Sequence, residues 1–122
     1  MSTTSGNVVR IHDILLGTFP DNPTDQAVDE LQEEILEEME TAQPDGVILD
    51  VSGVGLMDSF FARHISETAQ MIDLMGGQTV IAGIRPEVAI TAVELGYHLD
   101  GIETARSTDT AFELLGVNLD SQ

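Results

Sequence analysis

The stretch GVILDVSGVGLMDSFFARHISETAQMIDLM, residues 46–75, constrains the fold of this chain more than any other. It opens with an apolar, largely β-branched run, Val47–Val51, that is broken only by Asp50 and is typical of a strand buried on both faces of a sheet. The glycines of the following segment, Ser52–Gly55, allow the backbone to turn sharply. A helical pattern comes next, and Asp58 or Ser59 is its expected N-cap. The sequence therefore predicts a strand–loop–helix unit with a serine at the positive end of a helix dipole.

The helix predicted over residues 58–75 has two unlike sides. With Ile65 at the middle of the buried side and about 100° per residue, one set of side chains points inward and another points outward. The inward set is Phe61, Ala62, Thr68, Ala69 and Ile72, and the outward set is Phe60, Arg63, Glu67, Met71 and Leu74. Three outward residues are large and apolar, which favours a protein-binding face. The alternative is the ordinary scatter of exposed apolar residues on a small domain.

The rest of the chain alternates between strand and helix patterns, which predicts an α/β fold with a mostly parallel, mixed sheet of four to five strands and about four helices. A single domain is expected over residues 8–116, with polar tails at 1–7 and 117–122. The other strands are expected at 8–11, 14–19, 79–83 and 101–105. The other helices are expected at 25–42, from Pro86 to just before Gly96, and from Ser107 to Gly116. The first of them has four apolar positions at helical spacing: Val28, Leu31, Ile35 and Met39. Its outer face is expected to carry six acids: Asp29, Glu30, Glu33, Glu34, Glu37 and Glu38.

The composition is strongly acidic, with 22 Asp and Glu residues against four arginines and no lysine, and a formal net charge of −18. Nucleic acid is excluded as an expected partner, because phosphate backbones are bound by clustered Lys and Arg. The acids are spread over several helices, which favours adaptation to high salt over a basic partner, although both interpretations stay open. There is no cysteine, no apolar run of membrane-spanning length and no apolar signal core at the N-terminus, so a cytoplasmic protein is expected.

Three segments resemble the STAS domain family, which includes the anti-sigma factor antagonists. They are VILDVSG from Val47, the triplet Asp58-Ser59-Phe60, and VIAGIRPEVA from Val80, followed by VELG from Val93. The resemblance runs from Val8 to Gly116 and implies the STAS, or SpoIIAA-like, fold. Within the family the chain is most similar to the RsbS-type scaffold subunit of the stressosome.

This resemblance implies a mechanism of partner switching. The family's phosphorylated serine corresponds to Ser59, and its partner kinase is a serine/threonine switch kinase that Asp58 would help to engage. Sensor-type STAS subunits would be further partners in a homo- or hetero-oligomer. Arg63 could pair with a phosphoserine, or with Glu67 four residues on. Thr91 lies near a second phosphorylated threonine of the sensor-type subunits, and a solvent-facing helix threonine is the preferred alternative.

Other classes of site fit the sequence less well. A dinucleotide fingerprint would use Gly53 and Gly55 but meets Asp58 where a third glycine belongs. Asp50, Ser59 and His64 lack the nucleophile elbow of a hydrolase, and the histidines lack the spacing of metal ligands. Neither an enzyme nor a cofactor or metal site is expected. Two alternatives remain: a direct anti-sigma factor antagonist that binds an anti-sigma kinase, and a small-molecule or nucleotide binding module.

Overall fold

The computed structural model describes residues 7–55, 59–94, 96 and 102–117. The order of elements is the expected β-β-α-β-α-β-α-β-α. The strands are β1 (Val8–Ile11), β2 (Ile14–Thr18), β3 (Gly46–Asp50), β4 (Gln78–Ala82) and β5 (Glu103–Ala105). The helices are α1 (Asp25–Ala42), α2 (Ser59–Leu74), α3 (Pro86–Glu94) and α4 (Thr108–Leu114). The α/β prediction is confirmed, and β2, β3 and β4 each end one residue earlier than expected.

The five strands form one mixed sheet in the order β1-β2-β3-β4-β5. Among the described strands only the β1–β2 hairpin is antiparallel, and the register of the parallel part sets Leu15 beside Val47 and Ile48 beside Val80. Because β3 lies in the middle, its side chains are covered on both faces, and Val47, Ile48 and Leu49 are fully buried. The strand expected to be buried on both faces is therefore the central strand.

The helices cover the two faces of the sheet unequally. Apolar residues of α1, α2 and α3 pack with Val47 and Leu49 in one core cluster, whereas Ala111 and Phe112 of α4 pack with Ile48 in another. The helices α1, α2 and α3 each connect two neighbouring parallel strands. Because such connections are right-handed, the three helices lie on the same face of the sheet. The resulting α1–α2–α3 layer carries the helix of interest in its middle.

The first helix follows the sequence pattern closely. The Thr24 hydroxyl accepts a hydrogen bond from the Ala27 amide at 3.0 Å, which caps the helix. Its buried residues are the expected four, Val28, Leu31, Ile35 and Met39. The acids on its other sides are less uniform than the pattern indicated. Asp29, Glu30, Glu33 and Glu37 are exposed, whereas Glu34 and Glu38 are half-buried.

No helix among the described residues is both long enough and apolar enough to cross a lipid bilayer.

Candidate functional site

The candidate site lies at the carboxyl edge of the parallel strands. Strands β3, β4 and β5 run in the same direction, so the loops that follow them emerge side by side. These loops contain residues 51–55, residues 83–85 and Arg106. Loops at this edge of an α/β sheet are the usual place for a functional site in such folds.

The β3–α2 loop, described here over residues 51–55, is held by several hydrogen bonds. The Val51 amide donates to the Ala82 carbonyl at 3.0 Å, and the Val54 amide donates to the Val51 carbonyl at 3.0 Å. The Ser52 amide donates to Asp50 Oδ1 at 3.0 Å, so the Asp50 carboxylate binds a loop amide at the end of β3. Val54 is fully buried. Residues 51–55 of this loop are therefore held by backbone hydrogen bonds, by the Asp50 carboxylate and by the burial of Val54.

A second loop packs directly on the first. Gly83 has φ +82°, and a Cβ at this position would lie 2.6 Å from the Ser52 Cβ atom. Only glycine allows both this backbone conformation and this approach. Two residues later, Arg85 Nε donates to the Ser52 carbonyl at 3.0 Å. Gly83 and Arg85 belong to the GIRP segment of the sequence, but nothing in the local pattern indicated that they hold the β3–α2 loop.

Ser59 is the first residue of α2, so it lies at the start of the helix as the sequence predicts. The side chain of Ser59, and all of Asp58, lie outside the described part of the chain. The assignment of Ser59 as a phosphorylated residue, and of Asp58 as a cap and kinase contact, therefore stays a prediction. Its structural setting, a helix start that follows a buried strand and a loop, is the one the sequence predicts.

The two sides of α2 follow the predicted phase. All five residues of the inward set are buried, together with Ile65. Four residues of the outward set are exposed, and we call them the α2 outer face: Arg63, Glu67, Met71 and Leu74. Leu74 has 86% of its surface exposed, and Met75 and Met71 are also exposed large apolar residues. The outer face thus carries an apolar end that no described element covers.

The prediction that Phe60 points outward is wrong in part. Phe60 is half-buried and packs against the core cluster of the α1–α3 layer. Its ring also meets the His64 ring edge to face, with centroids 4.7 Å apart. The helical phase alone placed Phe60 among the outward residues and did not indicate its contact with the core cluster. Phe60 therefore contributes to the fold as well as to the surface.

His64 links α2 to α1. Its Nε2 atom lies 2.5 Å from Asp29 Oδ1, and its side chain is only 13% exposed. One turn later, Thr68 accepts a hydrogen bond from Gln32 of α1 at 2.8 Å and donates to the His64 carbonyl at 2.7 Å. Sequence reasoning missed this network, because the partners are 35 or 36 residues apart. His64 has a structural partner and is not an isolated histidine.

The remaining candidates keep their alternatives. Arg63 and Glu67 are both exposed and form no ion pair with each other, so the simple i,i+4 pairing is absent. A pairing of Arg63 with a phosphoserine stays a prediction. Thr91 is half-buried, and its hydroxyl donates to the Glu87 carbonyl at 3.0 Å. This backbone bond is common for threonine inside a helix, and modification of Thr91 also stays a prediction.

The loop is poorly suited to a nucleotide phosphate. Asp21 Oδ1 lies 3.2 Å from the position that a Cβ atom would take on Gly53. The Asp50 carboxylate already accepts the hydrogen bond of the Ser52 amide. Two carboxylates at the glycine-containing turn disfavour an anionic ligand there. Two open surface depressions lie at the opposite, amino-terminal edge of the sheet, one next to Asp13 and one next to Met75. Neither supports a ligand site beside Ser59.

The fold and this arrangement at the sheet edge agree with the comparison to protein families. A family model described as "STAS domain" matches residues 7–111. The chain therefore belongs to the STAS domain family, as the three sequence segments predicted.

Two curated relatives of the chain are RsbT co-antagonist proteins. The chain is 33% identical over 87 residues to the RsbT co-antagonist protein RsbRD of Bacillus subtilis, covering 71% of this chain and 31% of that protein. It is 36% identical over 72 residues to RsbRA of the same organism, covering 56% of this chain and 26% of that protein. The chain thus spans less than a third of the length of these two relatives.

Two solved structures resemble about nine-tenths of the chain or more. A variant of RsbS from Moorella thermoacetica, with a serine replaced by glutamate, has a TM-score of 0.83 and 27% identity. It covers 93% of this chain, which in turn covers 96% of the variant. A chain in a structure titled as the molecular architecture of the stressosome, a signal integration and transduction hub, has a TM-score of 0.80 and 29% identity. That match covers 89% of this chain and 95% of the other.

Proposed function

We propose that this protein is a non-catalytic STAS subunit of the stressosome type that works by partner switching. Its unmodified form binds a serine/threonine switch kinase through the α2 outer face, and phosphorylation of Ser59 weakens that complex. The observation that carries the proposal is the exposed face of α2, with Met71 and Leu74 at its apolar end, on the same helix that begins at Ser59. Its likeness to RsbS over nearly the whole length of both chains supports it.

The phosphorylation step belongs to the kinase. The Ser59 hydroxyl oxygen forms a bond to the γ-phosphorus of ATP, the bond between that phosphorus and ADP breaks, and the hydroxyl proton passes to a base of the kinase. This chain supplies the nucleophile and the surface that positions it. No step of the reaction requires a catalytic group or a metal ion from the STAS subunit.

The consequence of phosphorylation is electrostatic. A phosphate brings about −1.5 to −2 charges at neutral pH. At a helix N-terminus this charge is tolerated by the folded protein, because backbone N–H groups and the helix dipole favour anions. A partner that had contacted a serine beside Asp58 would instead face two adjacent acidic groups. The fold would therefore persist while the complex with the kinase weakens.

We further propose that the chain assembles with sensor-type STAS subunits. The curated relatives include RsbT co-antagonist proteins, and one structural neighbour comes from a structure titled as the stressosome. Size-exclusion chromatography with and without a sensor-type STAS subunit tests this step. A large co-eluting assembly is expected, whereas a small complex formed with an anti-sigma kinase alone would favour the direct antagonist instead.

The phosphorylation proposal is tested by incubating the protein with the cognate switch kinase and ATP, followed by mass spectrometry. One phosphate on Ser59 is expected, and none on the Ser59→Ala variant. Ser66→Ala is the matched control, because Ser66 lies two turns along the same helix, and this variant should still be modified. Ser59→Asp should fold but bind the kinase more weakly than Ser59→Ala. Modification of Ser59→Ala, or equal binding by the Asp and Ala variants, contradicts the proposal.

A further inference from the structure

The ends of α1 and α2 form a corner at the amino-terminal edge of the sheet, and we call it the α1–α2 corner. An open depression lies between the two helix ends. Its lining includes Met39, Glu40, Pro44 and Asp45 from the end of α1 and the turn after it, and Met75 and Gly76 from the end of α2. A Cβ atom on Gly77 would lie only 2.7 Å from Met39 Cε, so the turn after α2 packs directly on the end of α1.

The α1–α2 corner has an exposed apolar rim. The Met75 amide donates to the Met71 carbonyl at 3.1 Å, so the helical spacing of α2 extends to Met75. Met71, Leu74 and Met75 therefore share one side of the helix, and all three are exposed. Met75 also lines the depression, and the buried Met39 closes its inner side. Methionine side chains are flexible and are enriched in protein interfaces, so the rim fits an apolar side chain of a partner.

The α1–α2 corner is also negatively charged. Glu40 and Asp45 are both exposed. The carboxyl-terminal ends of α1, α2 and α4 lie at this edge without a basic residue in their last turns, and such helix ends carry about half a negative charge each. Arg10 donates to the Ala42 carbonyl at the end of α1, but Asp13 Oδ1 lies 2.8 Å away and offsets its charge. The other three arginines follow β4, β5 or the start of α2, at the opposite edge of the sheet.

These two properties define the chemistry of a partner. A second copy of this chain is disfavoured, because each copy has a formal net charge of −18 and would bring the same acids to the contact. A helix that combines apolar anchors with flanking Lys or Arg residues complements both the rim and the acids. The rim spans about one helical turn, which matches two anchors one turn apart on such a helix. Adaptation of the whole surface to salt is compatible with this partner, because the contact needs only the local acids.

We propose that the α1–α2 corner binds a basic amphipathic helix of a partner protein, with an apolar residue in the depression and Lys or Arg residues against Glu40 and Asp45. The identification of that partner as the switch kinase rests on the proposed function, whereas the chemistry of the bound helix does not. The corner lies about 22 Å along α2 from the helix start, because α2 has 16 residues and rises about 1.5 Å per residue. This distance is more than twice the screening length of about 8 Å at physiological salt. Phosphorylation at the start of α2 would therefore leave this contact in place while it disturbs the other end of the same face.

The chemistry of the bound helix is tested with three synthetic peptides of about 15 residues, so no kinase is needed. The first has leucines at i, i+3, i+4 and i+7 with lysines beside them, the second is a shuffled sequence of the same charge, and the third replaces the lysines by glutamates. Fluorescence anisotropy with the whole chain at about 0.15 M salt gives each Kd. The first peptide should bind at least about tenfold more tightly than the second, and the third should not bind. Equal Kd values for the first two peptides, or binding of the third, overturn the proposal.

The apolar half of the contact is tested by truncation of the rim. Leu74→Ala should raise the Kd of the first peptide by about tenfold, because one buried leucine contact is lost. Val93→Ala is the matched control, since Val93 is an exposed apolar residue near the end of α3, and its Kd should equal that of the wild type. Equal effects of the two substitutions would mean that the peptide does not lie on the rim, and would overturn the proposal.

The charged half is tested with two pairs of substitutions that change the net charge equally. Glu40→Gln combined with Asp45→Asn should raise the Kd of the first peptide by about three- to tenfold, the loss expected for two exposed ion pairs. Glu87→Gln combined with Asp109→Asn removes exposed acids from the first turns of α3 and α4 and should raise Kd by less than about twofold. Equal effects of the two pairs would show attraction by net charge alone and would overturn the proposal.

The identity of the partner is tested by competition. The first peptide should displace the switch kinase from the unmodified protein, and the shuffled peptide should not. A peptide that occupies the corner while the kinase stays bound overturns the kinase as the carrier of the basic helix. A kinase that does not bind the chain, or that ignores Ser59, overturns the proposed function and leaves the peptide results unchanged.

Discussion

Leu74 and Ile72 are apolar residues two positions apart in α2. Truncation of Leu74 should weaken kinase binding and spare stability, whereas truncation of Ile72 should do the reverse. Ile72 is fully buried, whereas Leu74 is 86% exposed. Complete burial of a leucine side chain stabilises a protein by about 1.5–3 kcal/mol, so the small buried part of Leu74 contributes only about 0.2–0.4 kcal/mol. Leu74→Ala should therefore change the free energy of unfolding by less than about 0.5 kcal/mol. Ile72→Ala creates a cavity in the core and should cost about 2–5 kcal/mol.

The two variants should also differ in their Kd for the switch kinase. If Leu74 is buried by the kinase, its truncation removes about 1–2 kcal/mol of binding free energy and raises Kd by about tenfold. Ile72→Ala should bind with the wild-type Kd under conditions in which it remains folded. Urea unfolding followed by circular dichroism gives the stability, and isothermal titration calorimetry with the switch kinase gives Kd. Both are measured at one fixed salt concentration, because the charge of the chain is so large.

Either of two results would refute this reasoning. A loss of more than about 1.5 kcal/mol of stability in Leu74→Ala would mean that Leu74 is part of a packed core. A wild-type Kd in Leu74→Ala would mean that the apolar end of the α2 outer face does not contact the kinase. The proposed docking surface would then have to lie elsewhere.

Three further predictions concern the fold. Gly83→Ala should lower the free energy of unfolding by about 1–3 kcal/mol, because Gly83 has a positive φ and lies close to Ser52. Gly96→Ala should cost clearly less, because Gly96 has the same φ of +82° but open space around it. Equal costs in urea unfolding would contradict the close packing of the two loops. Thr68→Val should cost about 1–2 kcal/mol through two lost hydrogen bonds, and a neutral result would show that the Gln32–Thr68 bond contributes nothing. The melting temperature should rise markedly from 0.1 M to 1 M salt, because the exposed acids repel one another and the screening length falls from about 10 Å to about 3 Å. A melting temperature that does not change with salt would favour a basic partner over adaptation to high salt.

The extent of the elements was predictable from residue patterns. The apolar run at 47–49 and the 3.6-residue period of α1 and α2 identified their buried residues correctly, because burial against a sheet imposes those periods on the sequence. The glycines after α2 and α3 marked the helix ends for a similar local reason: Gly76 and Gly96 have positive φ. The likeness to the STAS family also rested on short contiguous segments, and the family model confirmed it.

The tertiary structure alone decided which distant groups meet. Phe60 falls on the outward side of its own helix, but His64 and the core cover part of it. His64 pairs with Asp29 of another helix, and Arg85 holds a carbonyl 33 residues earlier in the chain. A periodic pattern reports only which side of an element faces the core. Which residues of other elements a side chain contacts depends on strand order, crossover handedness and helix register. These are properties of the assembled sheet and not of any single segment.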